Sequence, residues 1–340
     1  MTSKEFASLI GVSQPTVSRA LNNSNLVPEE KKQYIIQKAR EYGFELNSQA
    51  QSLKTKRTGT IGILFPKHFL GMNKNLMLAY VYDCIQKELS HYNYDIMVIY
   101  YDMETDDFSS FERIIRRRKV DGFLVLRMEL SDKEMEVIEK YKVPCVFMMN
   151  ASAKIRGNLN YLFSDSIYGG YLAGCYLRNF TDYEKMFITV FEESNDAKRR
   201  LQGFRQALEE VGQQVAQEDI LYCALGIDSA YQLVNENPEK FRGRRVAILA
   251  YSDMLAIGIV QALVLQGIRI PEQVQIIGMD DIPLTTYLHP QISTIHVQVE
   301  EMVPRACTLL LDMIEKKDGV IQEWIKPRLI LRETTCNDFA

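Results

Sequence analysis

The chain has 340 residues, of which 46% are hydrophobic, and a formal net charge of −4. Domains usually have roughly 100–200 residues, so this length predicts more than one folded unit. No run of about 18 apolar residues occurs and no secretory signal precedes the first predicted helix, so we expect no membrane partner and a cytoplasmic location. The six cysteines lack a CxxC pair and the spacing of a zinc site, so we expect reduced thiols, no metal and no cofactor.

Charge is distributed unevenly along the chain. Residues 1–58 carry nine Lys or Arg against five Asp or Glu, a balance of +4, so the remainder carries −8. A basic head on an acidic body is typical of a small module that binds a polyanion, attached to a body that does not.

The basic head begins with the pattern of a helix-turn-helix. Thr2 and Glu5 have the spacing of a capping box for a first helix, and Gly11 can end that helix in the left-handed conformation. Ser13 is a natural N-cap for a second helix with one apolar stripe. The outer face of this second helix carries side chains suited to reading base edges in a major groove: Gln14, Pro15, Ser18 and Arg19.

A third helix is predicted from about Pro28, and a polar, basic segment follows at 47–57. Only Ala50 and Leu53 in this segment are apolar, so it has too little to bury to form a stable helix by itself. Its composition alone indicates a solvated linker.

From residue 60 onward, predicted strands alternate with predicted helices. The strands are at 61–65, 96–100, 122–126, 145–148, 187–190, 246–249 and 274–277. The helices are at 76–91, 109–118, 132–141, 166–179, 198–211, 228–236, 253–266 and 299–316. Alternation of this kind predicts parallel sheets with helices on both faces, arranged as two similar subdomains with a ligand cleft between them. The glycine-rich residues 169–174 lack the Lys-Ser/Thr of a phosphate-binding loop, and so predict a closely packed helix start.

Several motifs resemble those of one family. Residues 12–23, VSQPTVSRALNN, resemble the signature GVSxxTVSRxLN of the LacI/GalR bacterial transcriptional repressors. Residues 50–53 are similar to the hinge helix of that family, and residues 200–204, 277–281 and 329–335 follow in family order. The resemblance covers nearly the whole chain.

The resemblance implies an N-terminal all-α helix-turn-helix domain and an α/β periplasmic-binding-protein-like body made of two parallel-sheet, Rossmann-like subdomains. The expected domains are a DNA-binding head at 1–46, a hinge helix or linker at 47–58, and an effector-binding and dimerisation domain at 59–340. The expected subdomains of the body are about 59–160 plus 292–320, and 161–291 plus 321–340.

The implied function is that of a sequence-specific DNA-binding repressor, not an enzyme. It would bind a pseudo-palindromic operator as a homodimer. The expected dimer interface is a helix at 76–89 that carries Met77, Tyr80, Val81 and Cys84. Gln14 and Pro15 occupy the positions that vary specificity in the family, Arg19 suits a guanine, and Thr16 and Ser18 suit phosphates. In the hinge the expected DNA contacts are Ala50, Leu53 and Lys54, with Leu53 as a wedge in the minor groove.

The resemblance also implies a small-molecule effector held by Arg200 and Asp280, with Asp165 near a crossover. Four residues depart from common family patterns and predict a more apolar pocket: Met149, Leu225, Ser252 and Val297. The loop at 66–75 is longer than usual and could bring Lys67 or His68 over the cleft.

A sugar is the first expectation for the effector, because Arg and Asp pair well with vicinal hydroxyls. A sugar phosphate or other acidic ligand, or a protein coeffector, are alternatives within the same repressor. A sugar-binding or enzymatic protein with an incidental N-terminal module is a further alternative from another class.

Overall fold

The structure, a computed structural model, describes residues 1–21, 24–45, 57–66, 75–101, 109–126, 132–149, 159–192, 194–317 and 319–336. The α-helices within these residues are α1 (Ser3–Leu9), α2 (Gln14–Leu21), α3 (Glu29–Glu41), α4 (Leu76–His91), α5 (Ser109–Arg116), α6 (Asp132–Tyr141), α7 (Ser166–Leu177), α8 (Asn195–Glu209), α9 (Ile227–Glu236), α10 (Asp253–Leu265) and α11 (Val299–Ile314). The strands are β1 (Thr60–Pro66), β2 (Asp95–Tyr101), β3 (Gly122–Leu126), β4 (Cys145–Met149), β5 (Asn160–Ser164), β6 (Glu184–Thr189), β7 (Ile220–Tyr222), β8 (Val246–Ala250), β9 (Val274–Asp280), β10 (Ser293–His296), β11 (Gln322–Ile325) and β12 (Arg328–Ile330).

Helices α1 to α3 form a small head with its own core. The predicted capping box is confirmed: the Thr2 N–H donates to the Glu5 carboxylate at 2.8 Å, and the Glu5 N–H donates to the Thr2 hydroxyl at 3.2 Å. Gly11 has a φ of +70°, as a tight turn before α2 needs. The fully buried ring of Phe6 stacks on Phe44 at 4.2 Å between centroids, so the three helices enclose one apolar cluster.

The body contains two six-stranded sheets. The first sheet has the order β11-β5-β4-β3-β1-β2 and is parallel throughout. The second has the order β12-β10-β9-β8-β6-β7, and only its edge strand β12 runs antiparallel, against β10. Parallel strands whose burial is continuous, as in β3, β4 and β8, need helices on both faces.

The strands place all three chain crossings between the sheets later than the expected subdomain boundaries at 160/161, 291/292 and 320/321. Strand β5 pairs with β4 in the first sheet, so the first crossing follows Ser164. Strand β10 pairs with β9 in the second sheet, so the second crossing follows His296. Strand β11 pairs with β5 in the first sheet, so the last crossing follows Ile325. Strands β10 and β11 have only four residues, and their positions depend on partners far away in the chain: Thr294 donates to the buried carboxylate of Asp253.

Helices α7 and α8 touch through their backbones. A Cβ atom on Gly203 would lie 1.8 Å from the carbonyl oxygen of Ile167, and one on Gly170 would lie 2.0 Å from the carbonyl oxygen of Arg200. The closely packed helix start predicted at 169–174 is therefore confirmed. This contact fixes the position of Arg200 in the first half of α8 against α7.

Within the described residues, no helix combines the length and apolar character needed to cross a membrane. That part of the chain also contains no group of three or more His, Cys, Asp or Glu side chains that could hold a metal ion. All six cysteines are free thiols, of which only Cys145 and Cys307 are buried. Burial raises the pKa of the Cys145 thiol well above its ordinary value.

Candidate DNA-binding face and effector site

The second helix of the head presents a polar outer face. Its inner residues Val17 and Ala20 are buried, whereas Gln14, Pro15 and Arg19 are exposed. Thr16 and Ser18 are half-buried. The Ser13 hydroxyl accepts from the Thr16 N–H at 3.3 Å and lies 2.7 Å from the Thr16 hydroxyl, so this pair defines the start of the helix.

Four of the expected ligand contacts lie outside the described residues. They are the hinge residues Ala50, Leu53 and Lys54, and Lys67 of the long loop after β1. Their roles stay predictions.

The structure brings Arg200 and Asp280 together. Arg200 lies in α8 and Asp280 ends β9, and an Nη2 atom of Arg200 lies 3.8 Å from the Asp280 carboxylate. Asp196, one turn earlier in α8, lies closer, at 2.8 Å from the same nitrogen. Arg200 also donates to the carbonyl of Tyr251, and its guanidinium lies 4.3 Å from the centroid of the Tyr251 ring. All these groups are at the carboxyl edge of the second sheet, where α/β folds bind ligands.

The charged groups of this cluster shift one another's pKa values. Burial acts to lower the pKa of the Arg200 guanidinium, but Asp196, Tyr251 and Asp280 together outweigh it, so the pKa lies above its ordinary value. Burial raises the pKa of Asp280 well above its ordinary value; Arg200 opposes this rise and Asp253 adds to it. A carboxyl that gains a proton can donate a hydrogen bond to a ligand hydroxyl as well as accept one.

Asp253 is a buried residue that holds this edge of the second sheet together through hydrogen bonds. It is fully buried at the start of α10, and its carboxylate accepts from the Thr294 hydroxyl at 2.5 Å and from the Ile282 N–H at 2.9 Å. It thereby ties α10 to β10 and to the loop after β9. Burial is the main cause that raises the pKa of Asp253 to about 6, against the lowering effect of these hydrogen bonds. Asp280 and Asp281 have φ angles of +126° and +59°, which other contacts must hold in place.

Two other expected effector residues have structural roles as helix caps. The Asp165 carboxylate accepts from the Tyr168 N–H at 3.1 Å at the start of α7, and it lies 3.9 Å from Arg199, not Arg200. Ser252 is buried and caps α10 by accepting from the Leu255 N–H at 3.4 Å. Both side chains therefore already accept one hydrogen bond from a helix backbone.

The apolar departures have different exposures. Met149, at the end of β4, and Val297, after β10, are both buried, and Met149 has a φ of +82°. Leu225 is half-buried and packs against the main core of the body. Two of these three side chains are therefore built into the core.

A chain of polar contacts links the carboxyl edge of the second sheet to α4. His296, at the crossing after β10, lies 2.9 Å from Asp281 through Nδ1 and 3.4 Å from Glu300 of α11 through Nε2. The Tyr80 hydroxyl of α4 donates to Glu300, and Arg332 pairs with Asp281 at 2.6 Å. Hydrogen bonds from His296 and Arg332 outweigh burial and lower the pKa of Asp281, the opposite of its neighbour Asp280.

Helix α4 differs from the interface expected from the sequence. Met77 and Val81 are buried in the core of their own subunit, because they pack beneath α4 against the first sheet. They therefore cannot serve as interface residues. Tyr80 and Cys84 are partly exposed on the remaining face.

Sequence reasoning missed Asp196, Asp253 and Tyr251. Asp196 fell outside the predicted helix, which was expected to begin at 198, whereas Ser194 caps α8 and places Asp196 in its first turn. The spacing of Asp196 and Arg200 at i and i+4 was a local signal for an ion pair. Nothing local indicates that Asp253 meets Thr294, which lies 41 residues away in the chain.

Family comparisons agree with the three-helix head and the α/β body. Residues 2–47 match the family of bacterial regulatory proteins, lacI family, and residues 183–335 match the periplasmic binding protein-like domain. A similar full-length relative is the HTH-type transcriptional repressor PurR of Vibrio vulnificus (strain CMCP6), which is 27% identical over 339 residues, with 98% of each chain covered. The expectation of a DNA-binding regulator, not an enzyme, is confirmed by these matches.

Solved structures show the same fold over nearly the whole chain. The lac repressor dimer bound to operator and the anti-inducer ONPF superposes with a TM-score of 0.79 at 18% identity, covering 98% of this chain and 99% of that one. The transcriptional regulator CelR in complex with cellobiose superposes with a TM-score of 0.71 at 22% identity, with the same coverage. The chain is therefore similar over nearly its whole length to DNA-binding transcriptional regulators of the lacI family, with a lacI-family match at residues 2–47 and a periplasmic-binding-protein-like domain at residues 183–335.

Proposed function

We propose that this protein is a homodimeric repressor whose affinity for a pseudo-palindromic operator is controlled by a sugar, bound at the carboxyl edge of the second sheet. The observation that carries this proposal is the buried cluster in which Arg200 and Asp280 meet at 3.8 Å. Buried charges are costly unless they are paired or have a role, and these two end at the edge where ligands bind in such folds.

Three features of the cluster support a hydroxyl-rich ligand. Nε of Arg200 is buried and has no acceptor among the residues that the structure describes. Asp280 retains acceptor capacity, and its raised pKa lets it donate as well. The CelR structure contains cellobiose, so a similar fold at this TM-score holds a sugar. A vicinal diol could accept from Arg200 and donate to Asp280 at once.

The DNA-binding part of the proposal assigns base contacts to Gln14 and Arg19, apolar contact to Pro15, and phosphate contacts to Thr16 and Ser18. Exposure of the first three residues, and the cap that orders the start of α2, support this assignment. The hinge contacts of Ala50, Leu53 and Lys54 follow from the family resemblance alone. The proposed operator has two-fold symmetry, and a homodimer with the same symmetry can place one head on each half of it.

The test begins by selecting an operator from a pool of random double-stranded DNA with the full-length protein. Fluorescence anisotropy then measures its affinity with and without cellobiose, other neutral sugars, sugar phosphates and purine bases. We expect one neutral sugar to change operator affinity by about 5- to 150-fold. Asp280→Asn should abolish the effect of the sugar and leave the operator affinity without ligand intact. Asp312→Asn, an exposed side chain on α11, should alter neither the effect of the sugar nor the operator affinity without ligand.

Two results would contradict the proposal. One is the failure of the full-length protein to enrich any DNA sequence. The other is a selected operator whose affinity is the same with every ligand, which would favour a protein coeffector. A sugar phosphate or other acidic effector is the alternative that the cation of Arg200 favours.

A further inference from the structure

Two features beside the proposed effector site would ordinarily attract an anion. One is the buried guanidinium of Arg200, and the other is the amino end of the 15-residue helix α8, where free N–H groups and the helix dipole favour negative charge. Asp196 lies against both. It occupies the first turn of α8, and its carboxylate is 2.8 Å from Arg200.

Asp196 is also held firmly in place. Its side chain is only 4% exposed, like that of Arg200. The Ser166 hydroxyl, at the start of α7, donates to it at 2.6 Å. Because α7 and α8 touch at Gly170 and Gly203, Ser166 and Asp196 are held at hydrogen-bonding distance.

The surrounding charges reinforce this arrangement. Beyond Asp196, Arg200 faces Asp280 at 3.8 Å, and the field of the buried Asp253 also acts on it. A phosphate or carboxylate that approached Arg200 would meet a cation whose charge Asp196 already balances at 2.8 Å, in a medium of low dielectric constant. An uncharged hydroxyl requires no unbalanced cation and can still accept from Nε of Arg200.

We propose that Asp196 restricts the effector to uncharged, hydroxyl-rich ligands, because it neutralises Arg200 within the protein and so excludes ligands that carry phosphate or carboxylate. This inference rests on the proposed placement of the effector at Arg200 and Asp280. It adds the charge class of the ligand and the residue that selects it.

The test measures the melting temperature of the full-length protein in inorganic phosphate and in glucose 6-phosphate, each against sodium chloride at matched ionic strength. For the unmodified protein we expect the same melting temperature in all three. Asp196→Asn keeps the shape of the side chain and leaves Arg200 without its closest counter-charge. Phosphate should then raise the melting temperature by about 3 °C or more at saturation, and a second substitution, Arg200→Gln, should remove that rise.

Asp228→Asn is the matched control, because Asp228 is an exposed acid in the first turn of α9 without a comparable arginine partner among the described contacts. It should respond to phosphate no more than the unmodified protein does. The inference is overturned if a folded Asp196→Asn protein is as unresponsive as its parent. It is equally overturned if phosphate stabilises the unmodified protein and Arg200→Gln abolishes the effect, a result that needs no variant at 196.

These measurements use neither DNA nor a neutral sugar. A negative result for the charge rule is therefore distinguishable from a failure of the sugar-controlled repressor, which the operator assay tests separately.

Discussion

Three acidic residues at the carboxyl edge of the second sheet, Asp253, Asp280 and Asp281, acquire different pKa values from their surroundings. Asp280 and Asp281 are adjacent in the chain, yet burial raises the pKa of the first, and hydrogen bonds from His296 and Arg332 lower that of the second. Among the residues that the structure describes, no Lys, Arg or His forms an ion pair with Asp253, which accepts from a hydroxyl and a backbone N–H. Environment, not residue type, decides which carboxyl can carry a proton at this edge.

Asp253 should make the stability of the protein depend on pH. Its pKa is about 6 in the folded protein, against an ordinary value of 3.8, so between pH 4 and 6 the folded state binds more protons than the unfolded state. Stability must then fall as the pH rises through this window, by up to about 3 kcal/mol. We expect the melting temperature of the unmodified protein to fall relative to that of Asp253→Asn between pH 4 and pH 7.

A constant offset between the two proteins is expected as well, because an amide cannot accept both hydrogen bonds that Asp253 accepts. Only the change of that offset with pH reports the titration. Asp228→Asn, on the exposed start of α9, should give a curve parallel to that of the parent. Parallel curves for Asp253→Asn too would contradict the assignment.

At the scale of elements, the contact between α7 and α8 is the most demanding in the body. A methyl group at Gly203 would lie 1.8 Å from the Ile167 carbonyl oxygen, and backbone cannot yield as a flexible side chain can. Gly203→Ala should therefore cost about 3 kcal/mol or more, measured by urea unfolding, and should weaken effector binding because Arg200 moves with α8. Gly319→Ala, where a Cβ meets open space, should change stability by less than about 0.5 kcal/mol.

The predicted helices from residue 76 onward coincide with observed helices to within three residues at each end, and the long buried strands were also found. Both have strong local signals: apolar periodicity and continuous burial. Strands β5, β7, β10, β11 and β12 were not predicted. They have three to five residues, and the edge strands β11 and β12 carry the exposed polar side chains of Gln322 and Arg328. Such strands are defined by their partners.

In the candidate site, too, some residues have a local signal in the sequence and others depend on distant partners. Arg200 and Asp280 came from motifs, and the structure places them together. The neutralising role of Asp196 depends on Ser166 and on the packing of α7, which lie some 30 residues away in sequence. No local pattern encodes that distance.

At the scale of the molecule, the polar chain through His296 joins the proposed effector edge to helix α4. We expect His296→Ala to change the ratio of operator affinities with and without effector by threefold or more, while effector affinity stays within twofold. The reason is that the crossing after β10 is where one sheet meets the other, and His296 contacts Asp281 on one side and Glu300 on the other.

The matched control removes an exposed ion pair. Arg245 and Asp182 pair at the opposite, amino edge of the second sheet, so Asp182→Asn should leave the ratio unchanged. An unaltered ratio in His296→Ala would show that the two sheets communicate by another route.

The late return of the chain to both sheets has a consequence for synthesis on the ribosome. Strand β5 is made early, but its neighbour β11 begins only at Gln322, and the Tyr161 N–H donates to the carbonyl of Ile321. The second sheet is completed later still, where Thr334 bonds to β9 and β10. Until residues 322–334 emerge, a nascent chain exposes an unpaired edge on each sheet, and such edges are templates for aggregation. A translation pause or a premature stop within residues 322–334 should therefore favour aggregation of the incomplete chain.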